Sequence, residues 1–548
     1  MRVDVKETHL EIRFKYHPRM IEKIKKVKGL WFNGNKSDKH WRGPVKPSII
    51  MILDELGFEI YGYGEDPPEA RVKAFYENPP WKDIKINNTN DLWPFQIESL
   101  QFLYWRKGRG LIGHSPGLGK TRIGMAWIRE NPMEHGPALI VCPVSVKYQW
   151  ETFWENWIGT PITVLESRTP YKIPRDITVV INWDILKNWY KYLLSRNFKT
   201  LIGDESQALG SLYTSRTIAF RTLSKSLSYV IPMSGSPIRS KRSQIFPTLN
   251  ILDPILYDSP TAFEKRYCET MPTEFGSIEV ACDKHTSELY EIMTQVMFRK
   301  EKREVLKDLP PLLPITIVPM PVSEIDYFAM EDEAIEAMAA AQSKSEEDVA
   351  LEKLFWSVFY LKKDMVIDWI KDFLDSERKL IVYAYHRDVI KYLRKQFPRI
   401  SVYIDGSVSA SQRVKVKKDF LGNKQLLIMQ ILSAVGIDGL QTVCSDIAAV
   451  ELPWAFTDMD QGIGRLDRPG QLEPVSVSYL LSPGTTDDHI HRVLKRSEKT
   501  FRDIIEGKST KEFNARGNFL KLLKEKYKAR KELNNETTSS RIRNHRTR

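Results

Sequence analysis

The sequence predicts an α/β protein with two tandem lobes, each a parallel sheet with helices on both faces, preceded by a small α+β domain. Short, continuous apolar runs recur in two stretches of the chain, as strands buried on both faces do. A helical segment rich in alanine and glutamate separates the two stretches. A glycine-containing loop stands between an apolar run and a helical pattern early in the first stretch, a context typical of phosphate binding.

Length and composition indicate a globular protein of several domains. The 548 residues suffice for about three to four domains at roughly 150 residues each. No run of about 18 apolar residues occurs, and the N-terminus lacks the apolar core of a secretory signal. Four widely spaced cysteines favour a reducing compartment over a disulfide scaffold. We therefore expect a soluble, intracellular monomer without a membrane partner, in the cytoplasm of a bacterium or a phage-infected cell rather than in a nucleus.

The net charge of +12 is concentrated at the two ends of the chain. Residues 1–50 carry a net +8 and residues 521–548 a net +7, which leaves −3 for the residues between them. Basic termini of this kind suit contact with a polyanion such as nucleic acid. The alternative is that the charge only keeps exposed termini soluble.

Apolar runs, loops and charge divide the chain into five predicted regions. These are a basic α+β domain, a first lobe, a helical linker, a second lobe and a basic helical or disordered tail, at residues 1–85, 88–310, 311–374, 375–500 and 501–548 respectively. The predicted strands of the two lobes include 138–142, 178–181, 199–203, 380–383, 402–404, 426–429 and 475–481. Two lobes in tandem suggest a cleft between them.

A candidate phosphate loop follows the apolar run 110–112 and precedes a helical pattern. Its residues are Gly113, His114, Ser115, Pro116, Gly117, Leu118, Gly119, Lys120 and Thr121. Glycines let backbone N–H groups curl around phosphate oxygens, and the helix start adds the positive end of its dipole. We expect Lys120 to reach the β- and γ-phosphates of ATP and the Thr121 hydroxyl to hold Mg²⁺. The strict motif spacing is not met, because His114 occupies the position of its first glycine.

Two carboxylates, Asp204 and Glu205, end another apolar run further along the chain. An aspartate at the end of a buried strand can bind Mg²⁺, and the glutamate beside it can orient an attacking water. Alone, such a pair is most often a solvated turn. Its position behind an apolar strand and downstream of a phosphate loop predicts a catalytic pair.

Two arginines in the second lobe form a candidate arginine finger. Gln461, Arg465 and Arg468 are spaced by four and three residues, so on a helix they would share one face. Arginines placed opposite a γ-phosphate can stabilise the charge that develops during phosphoryl transfer. In isolation, the same spacing would fit a solvated helix.

These motifs stand in the order found in superfamily 2 helicases, and the chain resembles the remodeller-like (Snf-type) branch of that superfamily. The further segments that carry the resemblance are Leu92–Gln96, Val141–Ser145, Ser234–Pro237, Val435–Leu440 and Gln461–Gln471. The resemblance covers about residues 88–495. It implies two RecA-like lobes, ATP and Mg²⁺ bound between them, and ATP hydrolysis that depends on DNA.

The resemblance also implies roles for further residues. Gln96 would read the edge of the adenine ring. Gly436 and Asp438 would belong to a lobe-two motif that contacts both DNA and nucleotide, and Gln461 to the arginine-finger motif.

The sequence departs from the branch at two places. Ser206 and Gln207 replace the usual alanine and histidine, although Gln207 keeps a polar group for contact with Ser234. Ser115 and Pro116 replace the usual acidic residue and methionine. We expect ATP hydrolysis to be retained despite these substitutions. They could instead alter how efficiently hydrolysis is coupled to DNA.

Contacts with the DNA backbone are carried over by resemblance, although each such residue would fit a cap or turn equally well. The candidates are Ser145, Lys147, Ser407 and Ser433. The first 60 residues resemble the HepA-related module of annealing helicases, through Ile21–Leu30, Trp31, the Lys-His-Trp at 39–41, and Pro44. Aromatics among lysines suit base stacking beside a charged backbone. The alternative is that the tryptophans are the core of a small domain.

Together these observations predict an ATP-dependent DNA helicase or translocase. We expect it to act on branched or forked DNA, or on junctions of single strand and duplex, by annealing, fork regression or branch migration, in replication, recombination or repair. One alternative is an ATP-driven remodeller that displaces or recycles proteins bound to nucleic acid. A second is a non-hydrolysing clamp, against which the full set of catalytic motifs argues.

Overall fold

The protein divides into two compact units, with Met1–Glu269 forming most of the first and Leu306–Lys499 most of the second. The computed structural model describes residues 1–5, 9–14, 17–33, 40–44, 49–50, 52–53, 56–61, 68–273, 276–280, 282, 284–433 and 436–506. Lys39 of the N-terminal resemblance, Val435 of the lobe-two motif and most of the predicted tail lie outside these residues.

The N-terminal region is a small α+β domain, as predicted. Its sheet has the order β3-β4-β2-β1-β5, in which β1 runs antiparallel to β2 and parallel to β5. The strands are β1 (Arg2–Val5), β2 (Leu10–Arg13), β3 (Trp31–Asn33), β4 (His40–Gly43) and β5 (Glu59–Tyr61). Among the residues described here, two helices have defined bounds, Pro18–Lys25 and Pro68–Glu77.

The two tryptophans of this domain have different environments. Trp41 is 9% exposed and packs in the domain core with Val3 and Ile12. Trp31 is 52% exposed on β3, and its neighbour Phe32 is 51% exposed. The core alternative therefore holds for Trp41, while Trp31 presents an aromatic face to solvent.

The first lobe is built on a seven-stranded sheet in the order β14-β6-β11-β10-β7-β9-β8, with every neighbouring pair parallel. Strands from this part of the chain are β6 (Leu111–Ile112), β7 (Ala138–Cys142), β8 (Ile162–Val164), β9 (Thr178–Asn182), β10 (Thr200–Asp204), β11 (Tyr229–Met233), β12 (Glu269–Thr273), β13 (Gly276–Val280) and β14 (Met297–Phe298). β12 and β13 form a separate two-stranded sheet. The helices are Pro94–Trp105, Lys120–Glu130, Pro132–His135, Lys147–Trp157, Trp183–Leu194, Ser215–Ser224, Phe246–Leu252, Pro260–Tyr267, Thr286–Val296 and Lys302–Val305.

The second lobe is a six-stranded parallel sheet in the order β15-β20-β19-β16-β18-β17. Its strands are β15 (Thr316–Pro319), β16 (Leu380–Ala384), β17 (Ser401–Ile404), β18 (Leu426–Gln430), β19 (Asp446–Ala449) and β20 (Ser476–Leu481). Its helices are Glu324–Ala340, Lys344–Leu374, Arg387–Gln396, Ala410–Leu421, Phe456–Ile463 and Thr486–Glu506.

Strand β16 shows why continuous apolar runs were the right signal for these sheets. Ile381 and Tyr383 pack into one core cluster, and Leu380, Val382 and Ala384 into another. Because successive side chains of a strand point to opposite faces, a strand covered on both faces must be apolar at every position. The two lobes and their parallel sheets are therefore as predicted.

The segment 311–374, predicted as a helical linker, packs as part of the second unit. It begins with β15, which pairs in parallel with β20. The helix Lys344–Leu374 then buries Val358 and Val366 in the lobe's two core clusters. An apolar stripe on so long a helix needs a partner surface, and this sheet supplies it. The edge strand is short and largely exposed, so it leaves no strong apolar run in the sequence.

The predicted boundary at residue 500 falls inside the helix Thr486–Glu506. Phe501 and Ile504 are 7% and 0% exposed, so the helix continues as buried structure beyond that boundary. The remaining tail, 507–548, lies outside the described residues. Among the helices that the structure describes, none has both the length and the apolar character needed to cross a bilayer.

His386 forms a half-buried ionic contact with two glutamates in the second lobe. Its Nδ1 lies 2.7 Å from Glu451 Oε1 and its Nε2 lies 3.1 Å from Glu352 Oε2. Burial alone would lower the pKa of His386, but the hydrogen bonds to Glu352 and Glu451 raise it to about 9. A raised folded-state pKa means a contribution to stability that is complete below the unfolded value of about 6.5 and lost as the pH rises through about 9.

We expect the full chain to lose up to roughly 3 kcal/mol of unfolding free energy between pH 6.5 and 9 through this group. Urea unfolding at pH 6 and pH 9 measures it. His386→Gln should be less stable than the wild type at pH 6 and should lack this part of the pH dependence. Glu352→Gln should have an unfolding free energy at pH 6 between those of the wild type and His386→Gln. An unchanged pH dependence in His386→Gln would contradict the assignment.

Candidate active site

The phosphate loop connects β6 to the helix Lys120–Glu130. Gly119 is the N-cap of that helix and has φ +69°, and Gly117 has φ +89°. Side chains are strained at such angles, and a Cβ at Gly119 would also lie 2.7 Å from Gln96 Nε2. The two glycines therefore keep open a loop whose backbone curls at the start of a helix.

Gln96, the residue predicted to read the adenine edge, lies against this loop. It is 3% exposed, and its Nε2 donates to the Leu118 carbonyl at 3.4 Å. Its Oε1 accepts from the Trp93 N–H at 3.1 Å. The amide thus ties the start of the helix Pro94–Trp105 to the phosphate loop, and its proposed contact with adenine stays a prediction.

His114 points away from the phosphate side of the loop. It is fully buried, its Nδ1 accepts from the Lys300 N–H at 2.9 Å, and its Nε2 lies 2.7 Å from Ser99 Oγ. Ser99 Oγ donates to the Phe95 carbonyl, so Nε2–H must be the donor to Ser99 and the ring is neutral. Burial, followed by the positive charges of Lys120 and other nearby cations, lowers the pKa of His114 well below its ordinary value. Only the backbone of His114 is therefore available to a phosphate.

Arg299 joins two motifs that the sequence analysis treated separately. Its Nη1 donates to the Gly113 carbonyl at 2.6 Å and to the Gly235 carbonyl at 2.9 Å. Glu301 holds the other side of the guanidinium, with Nε to Oε1 at 2.6 Å, and accepts from Ser115 Oγ at 2.8 Å. The sequence analysis assigned no role to Arg299. A charged run directly after the buried strand β14 was the available signal.

We expect Arg299→Lys to lower kcat for ATP hydrolysis by about tenfold or more, because misplaced catalytic groups are costly and an ammonium cannot reproduce the guanidinium fork. Steady-state ATPase assays, with DNA affinity measured in parallel, test this. DNA affinity should stay unchanged. The exposed Arg303 in the next helix provides the control variant Arg303→Lys. Equal kcat in both variants would exclude a positioning role for Arg299.

The candidate catalytic pair, Asp204 and Glu205, lies where β10 ends, the position that the sequence predicted. Asp204 is 8% exposed, and its Oδ2 accepts from the Trp150 indole N–H at 2.9 Å. The Trp183 indole N–H donates to the Asp204 backbone carbonyl, also at 2.9 Å. Burial, with the neighbouring Glu205 charge, raises the pKa of Asp204 to about 6, against the opposing effects of Trp150 and Lys120. The two tryptophans that fix Asp204 were not identified from sequence as positioning groups.

Glu205 has a left-handed backbone, with φ +51° and ψ +53°. Non-glycine residues seldom adopt this conformation, and it recurs at functional sites. Gln207 Nε2 donates to Glu205 Oε2 at 2.9 Å, and Ser234 Oγ donates to Gln207 Oε1 at 2.7 Å. A polar path thus connects Glu205 to the Ser-Gly-Ser-Pro segment, through the contact with Ser234 that was expected of Gln207.

The residues of this site fit a nucleotide phosphate and Mg²⁺. Lys120 Nζ donates to the His114 carbonyl at 2.9 Å, which folds its ammonium over the loop. The charge of Lys120 lowers the pKa of Asp204, which means that the ammonium and the carboxylate lie close enough to face the same bound phosphate. Thr121 lies in the first turn of the helix, where its hydroxyl adds an oxygen donor. Hydroxyl and carboxylate oxygens are the donors that Mg²⁺ prefers.

In the second unit, both candidate finger arginines contact Asp438. Arg465 Nη1 lies 3.1 Å from Asp438 Oδ1, and Arg468 Nη1 pairs with the same oxygen. The helix Phe456–Ile463 carries Gln461 but ends before either arginine. The predicted shared helix face is therefore wrong, because the chain turns after Ile463 and it is the turn that brings the arginines together.

Asp438 was assigned to a nucleotide- and DNA-contacting motif. In this structure its carboxylate orients Arg465 and Arg468, whose side chains are 11% and 15% exposed. Gly436, with φ +84°, forms the turn that precedes it. Direct contact of Gly436 or Asp438 with nucleotide stays a prediction.

The four carried-over DNA contacts differ in their exposure to a ligand. Lys147 is 4% exposed and its Nζ donates to the Leu165 carbonyl at 2.8 Å, so it presents no charge at the surface. Burial lowers the pKa of Lys147. Ser433 is 8% exposed, and Ser407 Oγ donates to Asp405 Oδ1 at 2.5 Å. Ser145 is half-buried in a short 3-10 turn. The cap-or-turn alternative suits all three serines.

Comparison with known protein families finds two matching domain models. The SNF2-related domain matches residues 95–366, and the helicase conserved C-terminal domain matches residues 362–470. Together they span the candidate phosphate loop, the Asp-Glu pair and both candidate finger arginines.

Curated relatives match across most of this chain. DNA annealing helicase and endonuclease ZRANB3 of Mus musculus is 27% identical over 445 residues, which are 77% of this chain and 41% of that protein. SWI/SNF-related matrix-associated actin-dependent regulator of chromatin subfamily A-like protein 1 of Xenopus laevis is 28% identical over 424 residues, 75% of this chain and 43% of that protein. The match with this chain therefore spans about two fifths of the length of these relatives. The solved Sulfolobus solfataricus SWI2/SNF2 ATPase core in complex with dsDNA matches 77% of the chain at 20% identity and a TM-score of 0.37.

Proposed function

Because this chain belongs to the SNF2-related, remodeller-like branch of superfamily 2 helicases, we propose that it hydrolyses ATP with Mg²⁺ to move along DNA, and that forked or branched DNA is its substrate. The observation that carries the ATPase proposal is the buried Asp204 beside the strained Glu205, under the charge of Lys120. The fork proposal is supported by the similarity to a protein named as an annealing helicase. The exposed Trp31 and Phe32 of the N-terminal domain add to it.

The chain's own residues divide the chemical work. Lys120 and the loop amides hold the β- and γ-phosphates, and Thr121 and Asp204 are the oxygen donors for Mg²⁺. Glu205 orients the attacking water and accepts its proton. Mg²⁺, when bound, neutralises negative charge on the phosphate oxygens. Arg465 and Arg468 supply the positive charge that stabilises the γ-phosphate during its transfer.

Coupling to DNA uses the polar path from Glu205 to Ser234. Gln207 makes two hydrogen bonds, one to Ser234 of the Ser-Gly-Ser-Pro segment and one to Glu205. A movement of that segment can therefore shift the carboxylate that orients the water. Arg299 ties the same segment to the phosphate loop. Nucleotide state and DNA grip can thereby be linked within the first lobe.

The deciding experiment compares ATP hydrolysis without nucleic acid, with single-stranded DNA, with duplex, with a fork of the same nucleotide content, and with RNA. We expect the fork to stimulate most, and Lys120→Ala to abolish turnover on every substrate. The exposed Lys225 provides the control Lys225→Ala, which should behave as the wild type. Equal stimulation by fork and duplex would refute the fork preference alone. Hydrolysis indifferent to all nucleic acids would refute the DNA motor.

A further inference from the structure

Glu301 lies beside the phosphate loop without being part of it. Strand β14 pairs in parallel with β6, and Phe298 stands opposite Ile112 in that register. The two segments stay hydrogen-bonded beyond the strands, because the Ser115 N–H donates to the Lys300 carbonyl at 3.2 Å. Continuing the same register places Glu301 directly opposite Ser115. Side chains opposite each other on neighbouring strands lie on the same face and can interact.

Ser115 is a position at which the phosphate loop departs from the branch that the chain resembles. It stands where that branch usually has an acidic residue. The Ser115 side chain is nearly buried, and its hydroxyl donates to Glu301 Oε2 at 2.8 Å. A carboxylate is therefore present at this position of the loop, but it comes from the paired segment.

The other oxygen of the same carboxylate binds Arg299. Glu301 Oε1 accepts from Arg299 Nε at 2.6 Å. The Arg299 side chain is 9% exposed, whereas that of Glu301 is 48% exposed. Removing a charge from water is unfavourable unless an opposite charge accompanies it. Glu301 is thus the carboxylate that compensates the nearly buried guanidinium in the described part of the chain.

The groups around Glu301 keep its carboxyl group ionised. Burial alone would raise the pKa of Glu301, but Arg299 and the Ser115 hydroxyl lower it below its ordinary value, and Arg502 adds to the lowering. The ring of Phe501 lies over the guanidinium, with its centroid 5.4 Å from Arg299 Cζ. A carboxylate at the edge and an aromatic ring over the face therefore fix the orientation of Arg299.

Arg299 connects Glu301 to two segments of the nucleotide site. Its Nη1 donates to the carbonyl of Gly113, where the phosphate loop begins, and to that of Gly235 in the Ser-Gly-Ser-Pro segment. Because a guanidinium is planar and rigid, fixing its Nε also fixes the direction of Nη1. Loss of the carboxylate would therefore loosen both of these hydrogen bonds.

We propose that Glu301 is a positioning residue for ATP hydrolysis, which supplies from the paired segment the negative charge that the phosphate loop lacks at Ser115. It acts through Arg299 and touches no phosphate itself. This rests on the proposed function, since it concerns the nucleotide site of that motor. The carboxylate is required at this place in the fold, and either of the two opposite positions can carry it.

Exchanging the two residues tests the proposal. Glu301→Ser should lower kcat about tenfold and change KM for ATP by less than about threefold, because misplacing the site affects the transition state more than substrate binding. Serine is also favourable before the helix Lys302–Val305, so that helix start is preserved. The exchange variant Ser115→Glu/Glu301→Ser has the composition of the wild type. It should recover kcat to within about threefold of the wild type.

Steady-state ATPase assays at saturating DNA measure these effects. Ser115→Asp in the Glu301→Ser background provides a second exchange with a shorter side chain. Glu155→Ser, at an exposed carboxylate of the same lobe, is the control and should match the wild type. Thermal unfolding of each variant separates a folding defect from a loss of positioning.

A double-mutant cycle shows whether Glu301 acts through Arg299. Glu301→Gln keeps an acceptor for Ser115 but removes the charge, and we expect it to lower kcat about fivefold. In the Arg299→Gln background the same change should have no further effect, because no cation is left to position. Equal fold-changes in the two backgrounds would overturn the proposal, and this holds even if an exchange variant fails to fold.

Two further outcomes count against the positioning role. Wild-type kcat in Glu301→Ser would overturn it, and so would folded exchange variants that are both as slow as Glu301→Ser. Each of these results would leave the DNA motor intact. A wild type that hydrolyses no ATP with any nucleic acid would overturn the proposed function and the role of Glu301 together.

Discussion

Replacing Arg465 with alanine is expected to slow DNA-stimulated ATP hydrolysis by about 10³-fold or more, which is the usual contribution of an arginine finger. The Arg465 side chain is 11% exposed and already oriented by Asp438, so its charge acts in a partly desolvated site without further ordering. Affinity for ATP should fall far less than turnover, because the finger acts mainly on the transition state. Steady-state turnover and fluorescent-nucleotide titration measure the two effects.

Three companion variants sharpen this prediction. Arg465→Lys should recover little, since an ammonium lacks the planar fork of a guanidinium. Asp438→Asn should lose part of the activity, because both arginines then lack their ionic partner. Arg399→Ala, at an exposed arginine of the same lobe, is the control. Turnover of Arg465→Ala within tenfold of that control would exclude Arg465 as the finger.

Glu205→Gln is expected to reduce hydrolysis by about 10²- to 10⁴-fold while ATP still binds. Glutamine has nearly the same shape, tolerates the same backbone strain, and can still accept from Gln207 Nε2. What it cannot do is accept a proton from the attacking water. Single-turnover assays with saturating ATP isolate the chemical step from binding.

An exposed carboxylate of the same lobe, Glu155, supplies the control Glu155→Gln. Gln207→Ala should give an intermediate phenotype, with chemistry retained but the stimulation by DNA weakened, because it breaks the path from Glu205 to Ser234. If Glu205→Gln kept more than a tenth of wild-type turnover, another group would have to be the base.

The sheets and the phosphate loop could be predicted because their signals are local. The runs 138–142 and 426–429 are apolar at every position, which only strands covered on both faces require. Gly119 and Lys120 are informative because a curled loop before a helix needs those residues in that order. The start of the second lobe was harder to predict, because β15 is short and largely exposed and therefore resembles a linker in sequence.

The roles of single polar residues could not be predicted with the same success. Lys147 matched a DNA-contacting motif, yet the fold buries its stem and its ammonium bonds to Leu165. The arginine motif has helical spacing, yet its helix ends at Ile463 and a turn directs Arg465 toward Asp438. In both cases packing against distant segments determined where the side chain points.

The sequence by itself determined the fold class, the phosphate loop, the Asp204–Glu205 pair and the family, because each depends on residues close together in the chain. Only the tertiary structure decided that Arg299 joins the phosphate loop to Gly235 and that Trp183 supports Asp204. Such contacts join segments far apart in sequence, and no local pattern records a partner that arrives only when the chain folds.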